Sequence, residues 1–438
     1  MNIRISAKQR TQIRRFILLA IVIAVAIIII RICSNDEQPR KAPKLPSKEL
    51  NKTVTNEMSE IPELEGMDKK IKRYIRDWHI KGASLAIVRN DSLVYAKGYG
   101  WADEELQIPM QPGHIMRIAS VSKLITAVGI MKLQEEGKLN IKDKVFGPEG
   151  ILNDDFYNEM TKGDSRFYEM TIEHLLRHRG GFGGWFRDPL FWSIDVQNTL
   201  RLDHPPTKED FMKVALQYKM RATPGEFSEY SNLGYLLLSE IIEKVSGKKY
   251  EKYINQHVLK PAGCYDAHIG GIYYKDKRKN EVRYYTHEGD GKYVPDFQHQ
   301  NDSVERCYGG TNLPLLSGAG AWCCSPIELA RFVASIDGNN TVRDILSKKS
   351  IQQMTEHIDE HTFSLGWNET HPEKGWNRTG TLAGTSALIH VYPDGECWIM
   401  ITNTSTYRGH KFTNYTDALF TECRRLYSSK LPAQNLFE

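Results

Sequence analysis

The order of hydrophobic patterns along the chain predicts an α+β fold, an α/β sandwich. One antiparallel sheet is built from both ends of the chain and flanked by helices, with a second, mostly helical lobe between. Three observations carry this. Hairpin-like apolar runs lie near residues 84–101. Similar runs return at 379–404. The stretch of about 138–310 between them mixes helical periods with long polar loops. The balance of 40% hydrophobic and 26% charged residues in 438 suits a globular protein with two or three cored lobes. It excludes a disordered chain and a multi-span membrane protein.

From the amino terminus, residues 1–15 read as a basic cytoplasmic tail and 16–33 as a transmembrane signal anchor. Phe16 to Ile30 is unbroken apolar sequence behind Arg4, Lys8, Arg10, Arg14 and Arg15. The positive flank stays in the cytoplasm and sends the remainder outside it, to a bacterial periplasm or cell surface. A cleaved signal peptide also fits the run's length, but no small-residue cleavage site follows. Ile30-Arg31-Ile32 is a poor lipid-attachment signal before Cys33. Residues 34–60, with Pro39, Pro43 and Pro46, read as a flexible linker, leaving 61–438 as the folded domain.

Charge is uneven. Residues 1–60 hold 11 basic and 5 acidic side chains, the remainder 47 and 49. The folded part is not a basic surface, so nucleic acid is not its partner. Seven cysteines, at 33, 264, 307, 323, 324, 397 and 423, show no metal-ligand spacing. Adjacent Cys323 and Cys324 are expected as packing residues.

Within the domain, Met67, Ile71, Tyr74, Ile75 and Trp78 recur at helical spacing. Residues 84–89 and 92–101 flank Asn90-Asp91 as strand, turn, strand. A helix starts near Ser120, with Leu124, Ala127, Val128 and Met131 on one face and Gly137 as its stop. Leu233 to Val245 is apolar all round and predicts a buried helix. Residues 265–306 read as a loop excursion. Ser325-Pro326-Ile327-Glu328 predicts a capping box. Strands are expected at 363–369, 379–392 and 397–404, the last two joined by Pro393-Asp394-Gly395, then a helix over 412–428.

Three constellations can carry chemistry. Ser120-Val-Ser-Lys123 opens a helix, where positions three apart share a face. A hydroxyl becomes a nucleophile when a neighbouring base takes its proton, and a buried amine can be that base. Tyr230-Ser231-Asn232 supplies a phenol to shuttle a proton and an amide to hold a carbonyl. In Arg378-Thr379-Gly380-Thr381, Gly380 admits a close backbone and the Thr381 N–H can complete an oxyanion pair. Each pattern alone is weak. Ser-x-x-Lys recurs at Ser246–Lys249, and Tyr253-Ile-Asn255 repeats the tyrosine motif.

Seven segments in order make the set specific: 82–88, 98–103, 117–123, 175–181, 223–235, 317–332 and 378–387. Together they resemble the serine β-lactamase and penicillin-binding protein superfamily, in its class C-like branch, over roughly residues 67–430. The resemblance implies Ser120 as acylated nucleophile, with Lys123 and Tyr230 as base and proton shuttle in an order the residues leave open. It implies Asn232 as a substrate-orienting amide, and Arg378, Thr379, Gly380 and Thr381 as the substrate-binding strand. His178 matches a family histidine and is expected to be structural. Arg378 stands where the branch usually has Lys or His; it keeps the charge for a carboxylate but cannot relay protons.

The reading is a membrane-anchored, extracytoplasmic serine hydrolase that acts through an acyl-enzyme on an amide or ester. Candidate substrates are a D-amino-acid peptide, a peptidoglycan stem peptide, an ester or a β-lactam. The alternative is a non-catalytic, penicillin-binding-like sensor. No metal or organic cofactor is implied. The expected partners are a small-molecule or peptide substrate and the membrane, the latter through the N-terminal helix. Oligomeric state is not encoded legibly.

Overall fold

Strands with both faces covered lose their polar alternation, and strand β1 (Gly82–Arg89) is buried along almost its whole length for that reason. The computed structural model describes residues 49–182, 189–339 and 341–438. The expected basic tail, the anchor at 16–33 and the linker through 48 lie outside the described residues. Among the described residues no helix is long and apolar enough to cross a membrane.

Helix α1 (Glu65–Asp77) precedes β1, β2 (Ser92–Asp103), the short β3 (Ile108–Pro109) and β4 (Met116–Arg117). Helix α2 (Ser122–Glu135) and the buried helix α3 (Asn232–Ser246) follow, then β5 (His268–Ile269), β6 (Trp322–Cys324) and α4 (Pro326–Ala334). The chain ends through β7 (Glu369–His371), β8 (Gly375–Leu382), β9 (Thr385–Val391), β10 (Glu396–Thr402) and α5 (Phe412–Tyr427).

The main sheet has seven strands in the order β3-β2-β1-β10-β9-β8-β7, so N- and C-terminal strands meet at β1–β10 as expected. The register pairs Ala86 with Ile399 and Val88 with Cys397, antiparallel. On one face Ala86, Val88, Ile399 and Ile401 join the large core with α2, α3 and α4. On the other, Leu85, Ile87, Trp398 and Met400 pack on Met67, Ile71 and Ile75 of α1 and on Phe412 and Phe420 of α5. Each buried Val, Leu, Ile, Met or Phe among them contributes about 1.5–3 kcal/mol by leaving water. The β1–β2 turn is the expected one, with Asn90 and Asp91 at φ 48° and 61°.

Six expectations need correction. Residues 49–60, expected as the end of the flexible linker, are folded: Leu50–Thr53 and Asn56–Ser59 form helical turns, Leu50 and Val54 join the large core and Ser59 is buried. Residues 265–306, expected as a loop excursion, contribute His268–Ile269 to a smaller sheet and pair Tyr293–Pro295 with Ser303–Glu305. Residues 379–392 are two strands, because Ala383-Gly384 makes a two-residue hairpin with Gly384 at φ 81°. The strand expected at 363–369 is confined to 369–371. Gly366 turns the chain at φ 85°, where a Cβ would come within 2.7 Å of Ala127 and 3.1 Å of Leu124 of α2. Helix α2 is buried nearly all round rather than along one face. The capping box is half made. The Ser325 side chain accepts from the Glu328 N–H, but the Glu328 carboxylate turns away to the N–H groups of Tyr265 and Asp266.

A second, three-stranded sheet, β4-β6-β5, ties the entry to α2 to two distant segments. It aims the chain at the next turn, where the candidate chemistry begins.

Candidate active site

Strand β4 ends at Arg117, and Ile118 donates its N–H to the Trp322 carbonyl. Ala119 then sits at φ 48°, a left-handed conformation that costs a non-glycine residue of order 1 kcal/mol. The kink makes Ala119–Val121 a 3-10 turn, and the α-helix starts only at Ser122. Ser120 therefore stands on the turn before the helix rather than in its first α-turn. It is half-buried, while Lys123 is wholly buried.

A lysine inside an apolar helix survives only if its N–H groups find acceptors. Lys123 Nζ donates to Ser120 Oγ (3.3 Å), Asn232 Oδ1 (2.7 Å) and the Ala319 carbonyl (2.6 Å). With Tyr230 these acceptors surround the buried ammonium. Ser122 is turned away, its Oγ accepting from the Trp322 N–H.

Tyr230 and Asn232 arrive from the start of α3. Ser231, not Asn232, caps this helix, accepting from the Gly234 N–H. Tyr230 hydrogen-bonds both Ser120 and Lys123, and Lys123 Nζ lies 4.8 Å from its ring centre. Arg378 Nη2 donates to the Tyr230 hydroxyl at 3.3 Å. Burial alone would push this phenol up, but the Lys123 and Arg378 charges bring it below the ordinary tyrosine value.

His178 clamps the tyrosine segment at three consecutive residues. Its carbonyl accepts from Glu229 N–H (2.7 Å), its ring stacks on Tyr230 at 4.4 Å, and its Nδ1 accepts from Ser231 N–H (3.1 Å). Nδ1 as acceptor requires a neutral ring. Burial, then Lys123 and Arg378, hold its pKa well below the usual histidine value. The sequence singled out His178 as structural; its grip on Tyr230 had no sequence signal.

Strand β8 closes the site. A side chain at Gly380 would put Cβ 2.3 Å from the Ile118 carbonyl and 3.0 Å from the Ser120 nitrogen. The glycine thus admits the protein's own nucleophile turn. Thr379 is tied to Asn368, its N–H donating to Oδ1 (3.1 Å) and its Oγ1 accepting from Nδ2 (3.2 Å). That N–H points away from β9, so strand alternation puts the Thr381 N–H on the same side, beyond the end of β7.

Arg378 differs most from expectation. It is fully buried, and Nε and Nη2 both grip the Ser120 carbonyl, at 2.9 and 2.7 Å. The guanidinium braces the turn beneath Ser120 instead of reaching out as a carboxylate anchor; Nη1 has no hydrogen-bond partner among the described residues.

The structure thus brings Ser120, Lys123, Tyr230, Asn232, Arg378 and Gly380 together. A cavity of about 1080 Å³ lined by Lys81, Glu104, Arg283 and Tyr285 does not have Ser120, Lys123, Tyr230 or Arg378 in its walls.

Comparison with known proteins identifies the family and the fold. The Beta-lactamase family model matches residues 67–421. A putative penicillin-binding protein, PbpX, of Bacillus subtilis strain 168 is 27% identical over 360 residues, covering 81% of this chain and 78% of its own. Among solved structures, the octameric penicillin-binding protein homologue from Pyrococcus abyssi superposes with TM-score 0.60 at 23% identity, covering 85% of this chain and 78% of the other. The D-amino acid amidase from Ochrobactrum anthropi SV3, complexed with L-phenylalanine, gives 0.63 at 18% identity, covering 82% and 98%.

Proposed function

The chain belongs to the Beta-lactamase family, within the serine β-lactamase and penicillin-binding protein superfamily, and on that premise we propose that it is an acyl-transferring hydrolase of D-amino-acid peptides or amides. The observation that carries the mechanism is the placing of Tyr230 between two cations and in contact with Ser120.

Tyr230 lies between the Lys123 and Arg378 cations and in contact with Ser120, so it is taken as the base. Its phenolate takes the Ser120 proton as Oγ bonds to the substrate carbonyl carbon. The carbonyl oxygen becomes an oxyanion facing the N–H groups of Ser120 and Thr381. Collapse breaks the C–N bond, and the leaving amine takes the proton back from the Tyr230 hydroxyl. Water then attacks the acyl-enzyme with Tyr230 again as base, releasing the acid and Ser120. Asn232, oriented by Lys123, is the substrate-orienting amide. Lys123 and Arg378 stabilise Tyr230 in its deprotonated steps.

The D-configured substrate class draws on the fold shared with D-amino acid amidase and on the relative described as a penicillin-binding protein. Membrane anchoring and an extracytoplasmic location rest on the sequence of residues 1–33. External protease on intact spheroplasts should cleave the folded domain from its anchor; protection would refute that location.

The test of the chemistry is covalent labelling with fluorophosphonate and penicillin probes, then turnover on D-amino-acid amides and D-Ala-D-Ala-terminated peptides. Labelling that Ser120→Ala abolishes, with multiple turnovers on a D-configured substrate, supports the reading. Equal labelling of Ser120→Ala overturns the site, and acylation without release makes the protein a sensor.

A further inference from the structure

The small sheet below Ser120 holds an arrangement that the hydrolase chemistry does not use. His268 on β5 pairs with Cys323 on β6, and Cys323 pairs with Arg117 on β4. Glu281 reaches in beside them from the segment that bridges to Ile115. The ligand-type atoms of His268, Glu281 and Cys323 all lie within 4.8 Å of one another, and all three residues are buried. His268 Nε2 is 3.6 Å from a Glu281 oxygen, and Cys323 Sγ is 3.8 Å from the other. Ligand atoms around a tetrahedral zinc lie roughly 3.3–3.8 Å apart, so small side-chain adjustments close the set.

We propose that His268, Glu281 and Cys323 form a buried zinc site that staples the β4-β6-β5 sheet beneath the nucleophile turn. Sequence spacing cannot show it, since the three residues are spread over 268–323 with no metal-binding motif.

The surroundings favour this over chance convergence. His268 Nδ1 lies 2.8 Å from the Asp266 carbonyl, the partner that fixes a ligating imidazole with its Nε2 lone pair turned to the metal. Nε2 itself is buried on a residue 2% exposed, with the Glu281 oxygen at 3.6 Å as its nearest polar neighbour and no hydrogen bond within 3.5 Å among the described residues. The Tyr284 hydroxyl donates to Glu281 at 2.8 Å, orienting the carboxylate as outer partners of a metal ligand do. A Cβ at Gly270 would come within 2.9 Å of Cys323 Sγ, so glycine there leaves the sulfur its space.

Charge is accounted for as well. Glu281 and a Cys323 thiolate balance a divalent ion. Arg117 adds a positive charge that interacts with both Glu281 and Cys323; its N–H groups donate to the carbonyls of Cys307 (2.7 Å) and Gly271 (3.3 Å), and it stacks over the Tyr284 ring at 4.2 Å. Binding breaks the S–H bond, forms the zinc–sulfur bond and releases one proton, so affinity rises with pH. Three protein ligands leave the fourth tetrahedral position to a water.

The experiment uses the full chain in detergent. Protein exchanged into zinc, then freed of excess by gel filtration, is assayed for metal content by mass spectrometry. One equivalent per chain is expected, with a sulfur-to-metal charge-transfer band on cobalt substitution. Cys323→Ser should lose that band, and His268→Gln should weaken zinc binding by about a hundredfold or more. Far-ultraviolet circular dichroism checks that both variants fold. Metal-free wild-type protein after zinc exchange overturns the proposal whatever the variants do. So does full zinc content in a folded variant carrying both Cys323→Ser and His268→Gln, which would place the metal on other residues.

Discussion

The Ser-x-x-Lys pattern occurs twice in this chain, in opposite surroundings. At Ser120 the lysine is buried and engaged by a hydroxyl, an amide oxygen and a backbone carbonyl. At Ser246 the pattern ends α3: the serine hydroxyl accepts from the Lys248 N–H, and the Lys249 side chain is 86% exposed, near Glu243. The tyrosine motif repeats the contrast. Tyr230 meets two cations, whereas Tyr253 is buried in the core and stacks on His257 at 4.4 Å. Spacing alone does not make a nucleophile. Desolvation and a second segment bringing charge do, because a hydroxyl or phenol in water keeps its proton at neutral pH.

The sharpest way to break the comparison is to exchange the two serines' fates. Ser120→Ala should abolish probe labelling and lower turnover by about 10³-fold or more, while Ser246→Ala should leave both unchanged. Gel fluorescence with a fluorophosphonate decides it; residual labelling of Ser120→Ala would dissolve the distinction. Tyr230→Phe comes next. It should lower kcat about 10²–10⁴-fold with KM nearly constant, since it removes a proton carrier rather than a binding group. A change in KM alone would make Tyr230 a substrate contact.

Arg378 sharpens the same contrast through pH. Its charge helps lower the Tyr230 pKa, so Arg378→Gln should raise it and shift the rising limb of kcat/KM to higher pH. On that limb kcat/KM should fall, since less of Tyr230 is ionised at a given pH. A lower but unshifted profile would mean that Arg378 acts only by holding the Ser120 carbonyl.

Much of this was legible before coordinates. The hairpin at Asn90-Asp91, the apolar run of α3 and the return of strands near the C-terminus are local patterns, and local patterns survive folding. What stayed hidden was decided by partners far away in sequence. The sheet register does not reveal that Gly380 faces the Ile118 carbonyl. The Arg378 side chain, read as reaching outward, turns inward because the kink at Ala119 offers it the Ser120 carbonyl. Glu328 looks like a capping partner until Tyr265 and Asp266 offer it backbone donors. The hairpin at Ala383-Gly384 was the exception: its glycine signal was local and was missed inside a long β-like run.

The smallest effect expected is one of stability, and it probes the clamp that makes Tyr230 differ from Tyr253. His178 is neutral in the folded protein, its pKa held well below the usual value first by burial and then by Lys123 and Arg378. The unfolded chain takes up a proton on this residue as pH falls below about 6.5, and the folded chain does not. Unfolded protein therefore binds more protons there, and the stability tied to His178, fully present above that pH, is lost below it at up to about 1.4 kcal/mol per pH unit. His178→Gln removes that linkage. Denaturant melts at pH 7, 6 and 5 should show a variant weaker at pH 7, where stacking on Tyr230 is gone, yet with a shallower decline towards pH 5. His114, whose pKa burial lowers to about 4, titrates in both proteins and cancels in the comparison. Parallel declines would mean that the ring charges without leaving its place, and that the three contacts with residues 229–231 do not depend on its neutrality.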